Sequence, residues 1–455
     1  MLIRFVVNNV LSFGKEKEFN MLPMPRLKRL NEHKYNINDF EILKIASIYG
    51  ANGAGKSNLI HALFMLQNLI KQEELSLNYS NSEFKFNREL GEKPLTFVIE
   101  YFQDNKSFLY GIEILNNTVI TEELYESGLG KKEDKLLFER KTNVDTKETK
   151  ITSELFEESQ ESKTLKKVIE KNLSKPDKII FRNLTTFNEP YLKDIETAIK
   201  WFDETLQIVT PDAKPSALSH KIDIEQEFKK YAEDTMKSFN IGIESIKCQK
   251  KTLKEFFGED DLEQINNIKE KLGKSAENLL GLRNKNSDEI IISKEDDEYY
   301  VKKLQIEHKG QHDIRAMFDL DEESDGTVRL LDFIPAFQSI IHKNKVFIID
   351  EIERSIHPLL IKELIKKFSE DTQTNGQLIF TTHESNLLDQ DIFRQDEIWF
   401  AEKDNDGCSD LYSLSDFKEH STIDIRKGYL TGRYGSIPFL ANLKDLNWHE
   451  YATKT

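Results

Sequence analysis

Apolar and polar positions along the chain change rhythm twice. Residues 2–7, 97–102 and 108–115 carry the alternating pattern of strands, and Gln103-Asp104-Asn105-Lys106-Ser107 between the last two is made of turn formers, which predicts a hairpin. Ile45-Ala46-Ser47-Ile48-Tyr49 is a short apolar run that stops at Gly50, the kind of run a buried parallel strand makes. After Lys56, the residues Leu59, Ile60, Leu63, Phe64, Leu66, Leu69 and Ile70 follow helical spacing with little polar face, so this helix is expected to be buried. From 116 to 310 the texture becomes charged and helical, broken by Pro176, Pro190, Pro211 and Pro215. Short apolar runs return at 346–349, 377–381 and 397–400, alternating with helical stretches, which predicts a parallel sheet covered on both faces. The expected organisation is an α/β core built from residues 1–115 and 311–455, split by a mostly helical insertion over 116–310.

Composition narrows the classes. The chain has 455 residues, with 64 Lys plus Arg against 80 Asp plus Glu and a net charge of −16. Nothing approaches the roughly 20 consecutive apolar residues of a membrane helix. The opening run is too short for a secretory signal and has no small-residue cleavage site. Cys248 and Cys408 are the only cysteines, which excludes a disulfide scaffold or a Cys-rich zinc site and fits a cytoplasmic protein. The acidic balance argues against a protein that coats nucleic acid, yet leaves room for a local basic groove. Lys247-Cys248-Gln249-Lys250-Lys251-Thr252-Leu253-Lys254 is one such patch, and its plain reading is a solvated helical face.

Gly50-Ala51-Asn52-Gly53-Ala54-Gly55-Lys56-Ser57 matches the phosphate-loop pattern G-x-x-x-x-G-K-[ST], and it stands between a predicted strand and a predicted helix, as that motif requires. Glycines let the backbone curve against phosphate oxygens. Lys56 would neutralise the β- and γ-phosphates, and Ser57 would hold Mg²⁺. The expected nucleotide-binding set is Gly50, Asn52, Gly53, Ala54, Gly55, Lys56, Ser57 and Asn58. A dinucleotide fold is disfavoured, because its third small residue falls where Asn58 stands.

Val346-Phe347-Ile348-Ile349-Asp350-Glu351 is an apolar strand ending in two carboxylates, 294 residues after Lys56. Such strands are common, but beside a phosphate loop Asp350 becomes a candidate Mg²⁺ ligand and Glu351 a candidate for orienting or deprotonating the attacking water. Leu378-Ile379-Phe380-Thr381-Thr382-His383 is a further apolar strand, and its histidine is a candidate γ-phosphate contact. Asp404-Asn405-Asp406-Gly407 is expected to be a hairpin turn between strands and not a metal site.

In these motifs the chain resembles the ATP-binding-cassette ATPases of the SMC and RecF type, and more narrowly the bacterial AAA-type ATPases of the RloA and AbiL kind. The resemblance implies a P-loop cassette core with Gly50 to Ser57 as Walker A, Asp350-Glu351 as Walker B with its catalytic glutamate, and His383 as the switch histidine. Ser355-Ile356-His357-Pro358 looks like the D-loop, and Glu323-Ser324-Asp325-Gly326-Thr327 a variant of the signature motif with Ser324 and Gly326 as ligands. It departs from the common L-S-G-G-Q form. Because that motif acts on the partner's nucleotide, the resemblance implies an ATP-sandwiched homodimer or higher oligomer with ATP and Mg²⁺ as cofactors. Val7-Asn8-Asn9-Val10-Leu11-Ser12-Phe13 resembles the opening of RecF-like proteins, and residues 424–438 resemble the family's closing segment, whose basic residues and two tyrosines are candidate contacts to nucleotide, nucleic acid or a partner. No Q-loop glutamine stands out.

The insertion is too large for a compact transport cassette and too interrupted by proline for long heptad arms. Only 72 residues follow His383, too few for an added nuclease domain of roughly 100 residues. By resemblance to the RloA, AbiL and PARIS systems, the expected role is that of an ATP-driven scaffold or sensor in anti-phage defence, controlling a separately encoded effector such as a TOPRIM-like nuclease. The alternative is a RecF- or SMC-like DNA-repair or DNA-end-binding ATPase.

Overall fold

The computed structural model describes residues 1–37, 40–75, 79–86, 92–156, 160–187, 189–258, 261–275, 278–283, 289–295, 298–420 and 423–437. The chain forms two compact units: Met1–Pro211 with Ile340–Ile352 and Lys362–Thr455, and Asp212–Ser339 with Glu353–Ile361.

Among the described residues the first unit is built on two large sheets, with a two-stranded one, Lys34–Ile37 and Phe40–Leu43, beside them in sequence. In the six-stranded sheet, Leu206–Val209, Val346–Ile349, Gln377–Thr381, Ile45–Tyr49 and Ile398–Lys403 lie side by side and parallel, and Ser409–Ser413 closes the edge antiparallel. The strands Ile45–Tyr49, Val346–Ile349 and Gln377–Thr381 are buried at every position, which is why they read as apolar runs with no alternation. Register places Thr381 beside Ile48 and Phe380 beside Ile349, so three strand ends meet at one edge of the sheet. Ligands of open α/β sheets sit at that edge.

The second sheet is antiparallel. Its seven strands run in the order Thr149–Thr152, Lys135–Thr142, Thr118–Glu126, Lys106–Leu115, Leu95–Gln103, Leu2–Asn8 and Lys17–Asn20. The predicted hairpin is there, tightened to the two residues Asp104 and Asn105, both at positive φ as a two-residue turn demands. Apolar residues of both sheets and of the helix Lys56–Gln72 share one core, with Phe97, Ile99, Ile348 and Ile379 in it. Of the apolar stripe predicted for that helix, Phe64 is the exposed member. Gln67 is buried, and its amide donates to the carbonyls of Phe202 and Leu206 at 2.8 and 3.0 Å, tying the helix to the edge strand.

Residues 116–310 contain the expected helices, the longest being Gln226–Ser238, but strands run among them. Three complete the antiparallel sheet and a fourth is the edge strand Leu206–Val209. The second unit holds another antiparallel sheet, in the order Ile243–Thr252, Glu298–Lys309, Glu289–Glu295 and Leu279–Arg283, with Arg315–Asp319 paired to Glu298–Lys309. The helical reading of this region is therefore incomplete, for a physical reason. Charges such as Lys247 and Lys250 lie on the solvated side of these strands, where a lysine-rich patch looks the same as it would on a helix, although Glu122, Arg140 and Lys302 are buried. In Ile243–Thr252 only Ile243 and Ile246 are buried. Lys247 pairs with Glu307 at 2.7 Å and Lys250 with Asp223 at 2.7 Å, so these two lysines of the patch are neutralised by neighbouring acids.

Candidate functional site

The phosphate loop leaves the strand Ile45–Tyr49 at Gly50 and enters the helix at Lys56. Two glycines are enforced by close approach. A Cβ on Gly50 would lie 2.4 Å from the Ala401 carbonyl oxygen, and one on Gly55, at φ 109°, would lie 2.1 Å from the Ser409 hydroxyl. The Ser409 hydroxyl donates to the Ala54 carbonyl at 2.8 Å and lies 2.7 Å from that of Ser12, so the loop is clamped by the hairpin strand on one side and by the Val7–Phe13 motif on the other. Neither serine was singled out in the sequence as part of the loop's wall. Asn52 and Gly53 are exposed at the tip, and Ser57 and Asn58 are half-buried in the first helical turn.

Lys56 is buried at 5% exposure. Its ammonium donates to the carbonyls of Gly50 (2.9 Å) and Ala51 (3.3 Å) and meets His383 Nε2 at 2.9 Å. His383 accepts there, which places its proton on Nδ1. Partial burial and the Lys56 charge hold its pKa below the ordinary histidine value, against the pull of Asp350. The ring is neutral at pH 7.

Asp350 is buried at 7% exposure at the tip of Val346–Ile349, and its N–H donates to the Val209 carbonyl at 2.9 Å. Glu351 follows in the left-handed region at φ 51°, which turns the chain off the strand line and leaves its side chain half-buried. Non-glycine residues hold that conformation at a cost of about 1 kcal/mol, and such strain collects at functional sites. One residue organises the pair. The Thr381 hydroxyl accepts from the Glu351 N–H at 2.8 Å and donates to Asp350 Oδ1, and Thr381 is fully buried. Sequence reading took residues 378–383 for the histidine alone, because this role appears only when the two strands are neighbours.

Mg²⁺ fits the donor set. Asp350 offers a carboxylate and Ser57 a hydroxyl, hard oxygens suited to an ion that keeps water and substrate phosphates as its other ligands. Among the described residues no cluster of three or more His, Cys, Asp or Glu forms an all-protein metal cage.

In the second unit, Ser324 caps the helix Asp325–His342: its hydroxyl accepts from the Thr327 N–H at 3.1 Å. Ser324 is exposed, so this helix presents its N-terminus to solvent. A Cβ on Gly326 would lie 2.6 Å from the Ser355 carbonyl oxygen, which shows how tightly this turn packs on residues 355–358. Arg354 pairs with Asp212 at 2.9 Å alongside.

In the closing segment both tyrosines are buried. Tyr429 and Tyr434 each stack on Phe400 at 5.7 Å and 15°, and Tyr429 also meets Tyr49, the last residue of the phosphate-loop strand, at 5.9 Å. They back the loop from behind. Arg433 pairs with Glu419, while Arg426 and Lys427 are exposed; Pro438 lies outside the described residues. Gln103, in the hairpin, is hydrogen-bonded to Thr205 and Asp104. Asp404 closes the 404–408 turn by accepting from the N–H groups of Asp406 and Cys408.

A phosphate loop, a strand-end Asp-Glu pair and a strand-end histidine, with the histidine strand lying between the other two, define a P-loop ATPase core. The family described as "AAA domain, putative AbiEii toxin, Type IV TA system" matches residues 45–389, well over half of the chain, and the chain belongs to that family. No curated protein matches the sequence. Solved structures with similar backbones include an SMC head bound to the C-winged helix domain of ScpA, at 11% identity over 92% of this chain and 99% of that one, with a TM-score of 0.43. An SMC head domain from Thermotoga maritima is similar at 12% identity over 90% and 98%, with a TM-score of 0.41. Among the described residues no helix is long and apolar enough to cross a membrane.

Proposed function

We propose that this chain hydrolyses ATP at the phosphate loop and works as the ATPase subunit of a bacterial anti-phage system, controlling a separate effector of the TOPRIM-like nuclease kind. The observation that carries the chemistry is the convergence of Lys56, Asp350, Glu351 and His383 at the ends of three adjacent parallel strands. When the triphosphate enters, the Lys56 ammonium exchanges its backbone carbonyls for β- and γ-phosphate oxygens. His383, released from Lys56, is free to carry its proton on Nε2 and donate that N–H to a γ-phosphate oxygen. Asp350 and Ser57 would hold Mg²⁺, which supplies charge neutralisation on the phosphates. Glu351, fixed through its N–H on Thr381, orients the attacking water and receives its proton.

Ser324 and Gly326, at the exposed helix N-terminus, serve as the trans contact to a second chain's nucleotide, giving an ATP-sandwiched homodimer. The toxin–antitoxin wording of the family supports a paired-gene system with a partner effector. The paired lysines at 247 and 250 favour this scaffold reading over a RecF- or SMC-like DNA ATPase, while Arg426 and Lys427 remain as a local nucleic-acid contact. Glu351→Gln tests the reading: the variant should retain ATP, stop turnover and accumulate as a dimer by size exclusion. Turnover at the wild-type rate would show that Glu351 is not the catalytic carboxylate. Strong stimulation of the wild-type ATPase by DNA, lost steeply with salt, would favour the DNA-repair alternative.

A further inference from the structure

The strand Arg315–Asp319 stands at an edge of the second unit's sheet. It pairs antiparallel with residues 305–309 of Glu298–Lys309, and among the described residues no strand pairs with its other side. Hydrogen bonds at its two ends tell which backbone groups face that open side. The Gly310 N–H donates to the Ile314 carbonyl at 2.7 Å, whereas the Lys309 N–H turns away, to the Gly242 carbonyl at 3.4 Å. Antiparallel ladders alternate, so Ala316 and Phe318 bond to Glu298–Lys309 while Arg315, Met317 and Asp319 point their N–H and C=O groups outward. The Asp319 N–H agrees, since it donates to Glu322 Oε2 at 2.8 Å, outside the sheet. Edges of this kind are commonly blunted by proline, a bulge or a central charge. Here the register with 305–309 is unbroken and the central residue is Met317, 38% exposed, with Ile314 beside the strand at 66%.

The residues of the strand say what fits it. Arg315-Ala316-Met317-Phe318-Asp319, laid antiparallel against itself, sets Arg315 opposite Asp319 at both ends and Met317 opposite Met317 at the centre. The backbone accepts the same register, because outward-facing residues then meet outward-facing residues, as hydrogen-bonded pairs require. The two Met317 residues exchange two bonds, and each Arg315 N–H reaches the Asp319 carbonyl of the other copy. Asp321 and Glu322, both exposed, extend the acidic end. Within its own sheet Arg315 reaches Glu307 and Glu244 only at 3.4 and 3.9 Å, and Asp319 is held by Lys303 at 2.8 Å. Such surface pairs are weak, so they do not bar a new partner, and the charges across the edge set register more than strength. We propose that two copies of this chain join edge to edge at Arg315–Asp319, about a two-fold axis, making one sheet continuous across both. The contact needs no nucleotide and is distinct from the ATP-sandwiched pairing proposed above. A five-residue strand from each copy falls short of the roughly 1,000 Å² of a strong interface, so association belongs to protein concentrations of roughly 10–100 μM.

The test is sedimentation equilibrium of the full chain without nucleotide over that range, with melting of every variant to confirm its fold. Wild type and Lys56→Ala should show the same monomer–dimer equilibrium. Arg315→Asp and Asp319→Arg each set like charges opposite one another and should weaken it about ten-fold or more. An equimolar mixture of the two should associate again as a heterodimer, and so should the double variant that carries both substitutions. Met317→Cys should cross-link to a dimer under mild oxidation, with the wild type as control, because the Cα atoms of a hydrogen-bonded pair stand about 5.5 Å apart, within disulfide reach. A wild type that stays monomeric at the highest concentration, single variants that associate like wild type, or folded single variants that stay apart when mixed would each overturn the proposal. Association seen only with ATP and lost in Lys56→Ala overturns it too, while leaving the nucleotide-sandwiched dimer standing.

Discussion

Removing the Thr381 hydroxyl should damage the acidic pair while leaving the phosphate loop intact. Thr381→Val keeps the shape of a fully buried side chain and deletes two hydrogen bonds, one from the Glu351 N–H at 2.8 Å and one to the buried Asp350 carboxylate. A neutral bond contributes about 1 kcal/mol and one to a charged group about 1.5–3, so the variant should lose roughly 2.5–4 kcal/mol from the first unit. Urea unfolding followed through Trp201 and Trp399, both in that unit, measures this. Hydrolysis should respond separately. Glu351 depends on Thr381 to fix its turn, so kcat should fall about 10- to 100-fold, while KM for ATP stays within about two-fold because Lys56 is untouched. Thr381→Ser retains the hydroxyl and should recover most of both. A Thr381→Val protein with wild-type stability and turnover would refute the claim that this hydroxyl organises the carboxylates.

Ser324→Arg should leave ATP binding by the monomer intact and abolish ATP-dependent dimerisation in light scattering; equal loss of both would count against the trans-contact role. His383→Gln should flatten the pH dependence of stability below about pH 6.5. The lowered native pKa means the unfolded chain binds the proton first, so stability rises with pH across that window and the histidine opposes folding in acid. Glu295 works in the other direction in the second unit. Burial alone would raise its pKa, but hydrogen bonds from Lys302, Lys250 and Ser293 bring it down to about 2. Its stabilisation is present above the ordinary glutamate value and is lost as pH falls from about 4.5 toward 2, so Glu295→Gln should remove that segment of the acid-unfolding curve.

The residues proposed to touch phosphate were legible because their signals are local. A loop of eight residues, two carboxylates after an apolar run and a histidine after another can be read without knowing which strands are neighbours. What escaped depends on neighbours. Thr381 acquires its role from lying beside Val346–Ile349, and Ser409 from a hairpin that returns to the loop. The tyrosines of the closing segment carry the same residue types whether they face a ligand or Phe400. The edge strand Leu206–Val209 has four residues, too few for a periodicity, and the outer strands of the antiparallel sheets present charges on their wet faces.

The strand order also sets a timetable for synthesis. Ile45–Tyr49 is flanked in the finished sheet by Gln377–Thr381 and Ile398–Lys403, residues made more than 300 positions later. At ribosomal rates of about 5–20 residues per second, the phosphate-loop strand waits roughly 15–70 s for either neighbour. The antiparallel sheet, whose strands all lie between Leu2 and Thr152, can form in the meantime. During that interval a largely apolar strand has both edges open, the situation in which nascent chains pair wrongly with one another. A chaperone that shelters the first 50 residues until the histidine strand emerges would therefore decide how much active ATPase a cell obtains from each message.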